Sequence, residues 1–250
     1  MRKRIFFATA IALAMTTFTS CFKEDPDVMT GLIGYYSFDN SDGTDQSGSG
    51  HTGTLTGKTE PVFIDGVRGK ALYVNGENNT ALEIPYLFFK DLDEWSVSFW
   101  AKDFGGGFGT LFSQLNPKAD DIISDIPRVF VTTDHKLMGI QLVHNNNARW
   151  DFDVTEHNGK WNHYVVVLDS LETKYSTPTV RVGLYVNGKK IKSFSSKYER
   201  KYMEICSKTV FGGKKKLYDI TSIDVKLDEI RIYNRALNVW DIEALNELSY

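Results

Sequence analysis

From Gly31 onward the chain is written as short apolar runs separated by clusters of Gly, Asn, Asp and Pro. Runs of this kind, punctuated by turn formers, predict the strands of an all-β sandwich. Residues 96–102 alternate, with Val97, Phe99 and Ala101 on one face and Ser96, Ser98 and Trp100 on the other. Residues 161–169 (WNHYVVVLD) are almost continuously apolar, which predicts a strand covered on both faces. Asn187-Gly188 between two such runs predicts a type I′ hairpin, because both central residues need positive φ. Residues 225–233 (VKLDEIRIY) alternate only loosely. One helix is expected, at the C-terminus. Asn238 is placed to cap it, with Asp241 three residues on as in a capping box and Leu237 and Ile242 as a hydrophobic staple. Val239, Ile242 and Leu245 then share one face, so the helix should close an edge of the sandwich.

The first twenty residues read differently. Arg2, Lys3 and Arg4 precede an apolar run from Ile5 to Met15 that is too short for the roughly 20 residues of a membrane span. A basic start, a short apolar stretch and small residues Thr19 and Ser20 are the parts of a secretory signal. With Cys21 next, residues 1–20 look like a bacterial lipoprotein signal peptide, and the resemblance implies that Cys21 is lipidated. Phe18 stands where such signals usually carry an aliphatic residue, and an ordinary cleaved signal is the alternative. Residues 21–30 form a polar tether, and its FKEDPD resembles the surface-export signal of Bacteroidetes lipoproteins. The implied location is the outer membrane, exposed at the cell surface, with the lipid as the sole membrane contact.

The chain is 250 residues long, 42% hydrophobic and 13% aromatic, which excludes disorder. Its net charge of −3 argues against a general nucleic-acid binder. Cys206 stands far from Cys21 and is expected as a free, buried thiol. No internal repeat or long linker follows Gly31, so residues 31–250 are read as one domain.

Four blocks occur in order: GYYSFDN with DQSGSGHTGTLTG; GVRGKALYVNG; WSVSFWAK with WNHYVVVLD and VGLYVNGKKI; and VKLDEIRIYNRAL. Together they resemble the laminin G-like domains of the concanavalin A-like lectin/glucanase superfamily. The resemblance implies a jelly-roll of two antiparallel sheets, one of them concave. It also implies a structural Ca²⁺ tying the first strand to the last, with Asp39 and Asp228 as the matching acids. Carbonyls of the turn near Gly69 and the loop around Asn78 would complete the oxygen shell that calcium requires. The alternative is that Asp39 caps a turn and Asp228 pairs with a lysine. Trp95, Phe99, Trp161 and Tyr164 are expected as core anchors.

Glucanases of this fold carry carboxylates spaced E-x-D-x-x-E, and that pattern is absent; Asp91, Asp93 and Glu94 come closest, before the strand at Trp95. His135, His144, His157 and His163 have no metal-ligand spacing, and no G-x-S-x-G occurs. Binding is therefore the expected role. Residues 144–153 (HNNNARWDFD) offer Asn145, Arg149 and Trp150 as glycan contacts, or else a hairpin loop with Trp150 in the core. Lys189, Lys190, Lys214, Lys215 and Lys216 lie in a basic stretch interleaved with Tyr198, Tyr202 and Phe211. This stretch is either a patch for an anionic polysaccharide or a solvated face. The expectation is a non-catalytic surface lipoprotein that binds carbohydrate or a host or matrix ligand, with other surface lipoproteins of a glycan-uptake system as partners. A glycoside hydrolase or polysaccharide lyase on the same fold, and a structural adhesion module, are the alternatives.

Overall fold

The computed structural model describes residues 26–117, 126–132, 134, 136–142, 149–157, 159–172, 179–212 and 223–248, the side chains of 149, 150, 172 and 202 excepted. The lipidation position Cys21, and with it the leader, lies outside the described residues.

The chain folds as an all-β sandwich of two antiparallel sheets. In chain order the strands are β1 (Leu32–Tyr36), β2 (Thr54–Thr56), β3 (Val62–Asp65), β4 (Lys70–Val74), β5 (Ala81–Ile84), β6 (Trp95–Gly106), β7 (Gly109–Leu115) and β8 (Arg128–Val131). They continue with β9 (Leu137–Gln141), β10 (Arg149–Asp153), β11 (Asn162–Glu172), β12 (Thr179–Val186), β13 (Lys189–Lys197), β14 (Lys208–Gly212) and β15 (Ile223–Tyr233), and helix α1 (Val239–Glu247) closes the chain. The first sheet runs β13-β12-β11-β6-β15-β4-β3 with β1 paired to β15; the second runs β10-β9-β8-β7-β14-β5-β2.

The alternation in β6 does what its pattern dictates. Val97, Phe99 and Ala101 enter the main core between the sheets, while Ser96, Ser98 and Trp100 are buried on the opposite face. Both faces of β11 are covered as well. Tyr164, Val166 and Leu168 face the main core, and Val165 and Val167 join a second cluster with Tyr185, Tyr233, Leu237, Ile242 and Leu245. The helix therefore lies on the outer face of the first sheet, not on a sandwich edge. Ile242 and Leu245 are buried, but Val239 is 47% exposed and leaves the apolar stripe. Trp95, Phe99 and Tyr164 are core, whereas Trp161, just before β11, is half-buried. Cys206 is a buried thiol that donates to the Gln114 carbonyl at 3.4 Å.

Asn187 and Gly188 carry φ of 50° and 77°, as the two-residue turn between β12 and β13 demands. The loose pattern of β15 has a local cause. A register shift between Asp228 and Arg231, with Glu229 at φ 52°, inserts a bulge. Val225 and Leu227 face the core before it, and Ile230 and Ile232 after it.

The N-terminal approach is strapped down. Arg235 donates to the carbonyls of Thr30 and Asp27 (2.9 and 2.6 Å) and pairs with Asp241 at 2.7 Å. Residues 27–30, at the end of the expected tether, thus hold on to the domain. The capping box of α1 is formed: Asp241 N donates to Asn238 Oδ1 at 2.9 Å, and Asn238 N to Asp241 Oδ2 at 3.1 Å. Replacing such a cap by alanine costs about 1 kcal/mol. Asn238→Ala is expected to lower the calorimetric melting temperature by about 2–4 °C, with Asn238→Asp near wild type.

Candidate functional site

The first candidate is the pair of acids drawn from the two ends of the chain. Asp228 and Asp39 both reach the tight turn between β3 and β4. Asp228 Oδ2 accepts from Val67 N and Arg68 N at 2.8 and 3.1 Å, and its Oδ1 from Glu229 N at 2.8 Å. Asp39 Oδ1 accepts from Lys70 N at 2.9 Å. The turn must be built on glycine. A Cβ at Gly66 would fall 2.3 Å from Asp228 Oδ2, and one at Gly69 would fall 1.9 Å from Asp39 Oδ1. The structure thus brings both acids to one place, as the resemblance implied, but the turn offers them N–H donors where calcium needs carbonyls. Ca²⁺ takes six to eight oxygens, and each N–H aimed at a carboxylate oxygen occupies a lone pair that a metal would use. Among the described residues no group of three His, Cys, Asp or Glu is placed to hold a metal. As arranged, these acids do not fit a calcium cage. They fit a staple made of hydrogen bonds. Among the described residues Asp228 is no partner of a lysine either; burial is the main force that pushes its carboxyl up to about 7, against the pull of the N–H donors.

Beside this staple lies a buried polar web on the outer face of the first sheet. Arg231 pairs with Glu229 at 2.5 Å and lies 4.3 Å over the Tyr35 ring, whose hydroxyl donates to Glu229 at 3.0 Å. Ser98 Oγ and His163 Nε2 are 2.8 Å apart, and His163 stacks on Trp100. Burial, then the charge of Arg231, pushes His163 down to about 3, so the ring is neutral. A serine and histidine in contact suggest a nucleophile, but both are about fully buried, at 0% and 1%, and no substrate reaches them.

The expected glycan segment is a strand where it is described. Arg149 and Trp150 belong to β10, the edge of the second sheet, with Trp150 opposite Ile140. Asn145 lies outside the described residues. The basic stretch also separates. Lys189 and Lys190 sit on β13, the edge of the first sheet, while Lys214, Lys215 and Lys216 lie outside the described residues. Two of the interleaved aromatics are core: Tyr198 is fully buried and takes a hydrogen bond from Trp95 Nε1 at 3.2 Å, and Phe211 packs on Phe112. They provide no surface platform.

The aromatic that is exposed was not anticipated. Tyr86, just after β5, is 44% exposed, and among the described residues no other large aromatic is exposed. Its ring stacks on His51 at 3.7 Å, and Phe88 buttresses both from the edge. The loop that carries His51 is ordered by Asp45, which accepts from Tyr35 N at 3.0 Å, Ser47 N at 2.9 Å and His51 N at 2.8 Å. Burial pushes the Asp45 carboxyl up, but these donors outweigh it and hold it below the usual range. Tyr36 Oη closes the loop by donating to the His51 carbonyl at 2.6 Å. The arrangement is a two-ring platform on a fixed loop, next to the sequence block DQSGSGHTG. Tyr86 escaped notice because PYLFFK reads as one more apolar run.

A two-sheet sandwich with a capped C-terminal helix and a hydrogen-bonded clasp between its chain ends is a lectin-like architecture. The chain belongs to the Laminin_G_3 family of the concanavalin A-like lectin/glucanases superfamily, whose profile matches residues 75–243. Among solved structures it is similar to domain 4 of AbnA, a GH43 extracellular arabinanase from Geobacillus stearothermophilus in complex with arabinotriose. That match has 22% identity and a TM-score of 0.60, over 86% of this chain and 98% of the other. It is also similar to botulinum neurotoxin type C, whose cell entry is described as dependent on two ganglioside molecules (14% identity, TM-score 0.62, 89% of this chain and 52% of that one). The binding domain of Paraclostridial Mosquitocidal Protein 1 matches at 18% identity and a TM-score of 0.56, over 88% of this chain and 52% of that one. The chain spans about half the length of both toxin chains, and at these identities the likeness concerns the fold. No curated protein matches the chain.

Three predictions concern the staple. With its oxygens held by N–H groups, the domain should melt at the same temperature in excess calcium and in excess chelator; a calcium-dependent rise of several degrees would restore a metal to Asp39 and Asp228. Asp228→Ala leaves three amides without acceptors and should cost on the order of 3 kcal/mol, a fall of roughly 6–12 °C. The third concerns pH. A carboxyl whose pKa in the fold lies above its unfolded 3.8 stabilises fully only below that lower value, and its contribution fades as pH rises through about 7. The difference in melting temperature between wild type and Asp228→Asn should therefore shrink between pH 4 and pH 8. A difference that stays flat or widens over that range would contradict it.

Proposed function

We propose that this chain is a non-catalytic carbohydrate-binding domain, tethered through a lipidated Cys21 to the outer surface of a bacterial outer membrane. The observation that carries the binding role is the Tyr86–His51 platform. An exposed aromatic with its orientation fixed by a stacked partner presents a flat apolar surface beside polar loop groups, the combination that suits one face of a sugar ring. The arabinanase domain seen with arabinotriose and the toxin dependent on gangliosides support a carbohydrate for this fold. The leader sequence and FKEDPD support surface tethering, and with it a place beside other surface lipoproteins in glycan uptake.

The non-catalytic part of the reading rests on where acids stand. On the outer face of the second sheet, Asp151 and Asp153 share β10, but Asp153 Oδ1 accepts from Thr155 N at 2.9 Å, which holds that carboxyl below the usual range where a glycosidase's acid is raised; Glu83 of β5 is five strands away, on the order of 20 Å at the usual strand spacing. Glycosidase carboxylates work about 5–9.5 Å apart. Glu83 is in addition paired with Lys208.

The test is a glycan array with the purified protein and its Tyr86→Ala variant. Wild type is expected to bind a defined set of neutral or acidic oligosaccharides. The variant should lose about tenfold in affinity, as the loss of one aromatic contact of about 1.4 kcal/mol implies. Its melting temperature should hold within about 2 °C, because the side chain lies at the surface. An array on which wild type binds nothing, or on which Tyr86→Ala binds as well, would count against the proposal.

A further inference from the structure

A second feature lies on the outer face of the first sheet, away from Tyr86. The pairing of β11 with β12 sets three rows across this face: Val165 opposite Tyr185, Val167 opposite Gly183, and Asp169 opposite Arg181. Helix α1 packs over the first row, where Val165 and Tyr185 join Ile242 and Leu245. The middle row contributes no bulk from β12, because residue 183 is glycine. The Tyr185 ring leans over that gap, 3.1 Å from where a Gly183 Cβ would stand. The result is a groove of about 270 Å³ lined by Val167, Asp169, Arg181, Gly183, Tyr185 and Lys190 and walled by Ala236 and Leu237.

Its chemistry is uneven. Val167, Ala236, Leu237 and the Tyr185 ring form an apolar side. Along the rim, Arg181 pairs with Asp169 and cancels it, with half of the arginine side chain still exposed. Among the described residues Lys190 has no acidic partner. Its Nζ lies 5.8 Å from the centre of the Tyr185 ring, and among the described residues this cation–π contact is the one interaction the ammonium makes. Among the described residues the Tyr185 hydroxyl makes no hydrogen bond. The groove therefore carries one uncompensated positive charge, several vacant donors and a flat apolar wall. Its volume falls just under the roughly 300 Å³ at which sites for drug-sized ligands begin.

We infer that this groove binds a single sugar ring bearing one anionic group, a hexuronate or a sulfated hexose. The anion meets Lys190 and the exposed edge of Arg181, and the apolar face of the ring lies against Tyr185 and Leu237. Of the two described lysines expected to hold an anionic ligand, Lys189 and Lys190, the second lines this groove. The inference does not depend on the Tyr86 platform, which belongs to the other sheet.

The experiment is calorimetric titration of the full-length protein in detergent with four probes: glucuronate, glucose 6-sulfate, glucose and sodium acetate. Binding of glucuronate or glucose 6-sulfate with little or none of glucose or acetate supports the site, and the stronger of the two identifies the anion. Lys190→Gln should weaken that binding about tenfold, the worth of one charge-assisted hydrogen bond. Raising salt from 50 to 500 mM should weaken wild type but scarcely affect the variant. Tyr185→Phe keeps the ring that packs under α1 and should lose a smaller factor, and Tyr86→Ala should change nothing. Glucose binding as tightly as glucuronate, an unaltered Lys190→Gln at its wild-type melting temperature, or no binding of either anionic sugar would each overturn the inference.

Discussion

Burying a carboxylate costs several kcal/mol unless donors replace its water, and Asp228 meets that demand with three backbone N–H groups. Two of these belong to the β3–β4 turn, so satisfying one side chain fixes a hairpin against β15, an interior strand of the first sheet. The strand can offer the carboxylate sideways only because it bulges at Asp228 and Glu229, with Glu229 in the left-handed region at φ 52°. That bulge has two further effects. It resets the alternation so that Ile230 and Ile232 return to the core. It also turns Glu229 and Arg231 toward Tyr35 on β1. The first strand, the β3–β4 hairpin and the last strand are thereby joined at one irregularity through hydrogen bonds and an ion pair.

The two faces of the first sheet then diverge in character. The inner face is apolar throughout and closes on the second sheet around Trp95, Phe99, Phe112 and Tyr164. The outer face is divided. Helix α1 covers the apolar rows near its own axis, the Arg231 web occupies the rows next to β1, and the sheet beyond the helix is left with Gly183, Arg181 and Asp169. A groove forms at that boundary because the cover ends there while the strands go on. On the second sheet the outer face is filled differently: Phe130 lies over Gly139, where a Cβ would meet its ring at 2.2 Å, and the Arg128 guanidinium stacks 4.8 Å from the centre of the same ring. Arg128, Phe130 and Gln141 are all buried, so among the described residues this face does not present the row of open aromatics that a long glycan groove would use.

Much of the fold was legible because it depends on local periodicity. β6 and β11 announce which of their faces are covered, Asn187-Gly188 dictates its turn, and Asn238 and Asp241 cap the helix as their spacing requires. The bulge was not legible, since Glu229 carries no compositional sign that it will adopt positive φ; the loosened pattern around it was the single trace. Asp39 and Asp228 were found, but a sequence cannot say whether a glycine turn will point carbonyls or N–H groups at them. Tyr198 and Phe211 were placed with the basic stretch because their neighbours are polar. Their burial follows from how residues 198–212 cross between the sheets, which is tertiary information. Tyr86 and the Gly183 groove were missed for one reason: each depends on which residues stand across from it, and the register of β11 on β12 is not fixed by any short turn between them.

The edge strand β13 shows how one set of residues can meet two demands. An unpaired edge invites another strand, and lysines along it discourage such pairing; Lys189, Lys190, Lys192 and Lys197 supply four in nine residues. Charge alone would be served by any order of these lysines. Their actual order is set by a bulge: Lys190 stands opposite Tyr185 and Lys192 opposite Leu184, with Ile191 as the extra residue, 43% exposed. Without the extra residue the strand beyond it would slip by one, Phe194 would leave its place opposite Val182, and the core edge closed by Phe194 on Phe152 would open. The bulge thus lets β13 seal the core with Phe194 while Lys190 keeps its register with Tyr185 at the groove. A lysine needed just to guard the edge would be served equally well pointing into open solvent. Lys190 is held over an aromatic ring at the mouth of a cavity, which is the position that distinguishes a contact for a ligand from a charge that keeps strands apart.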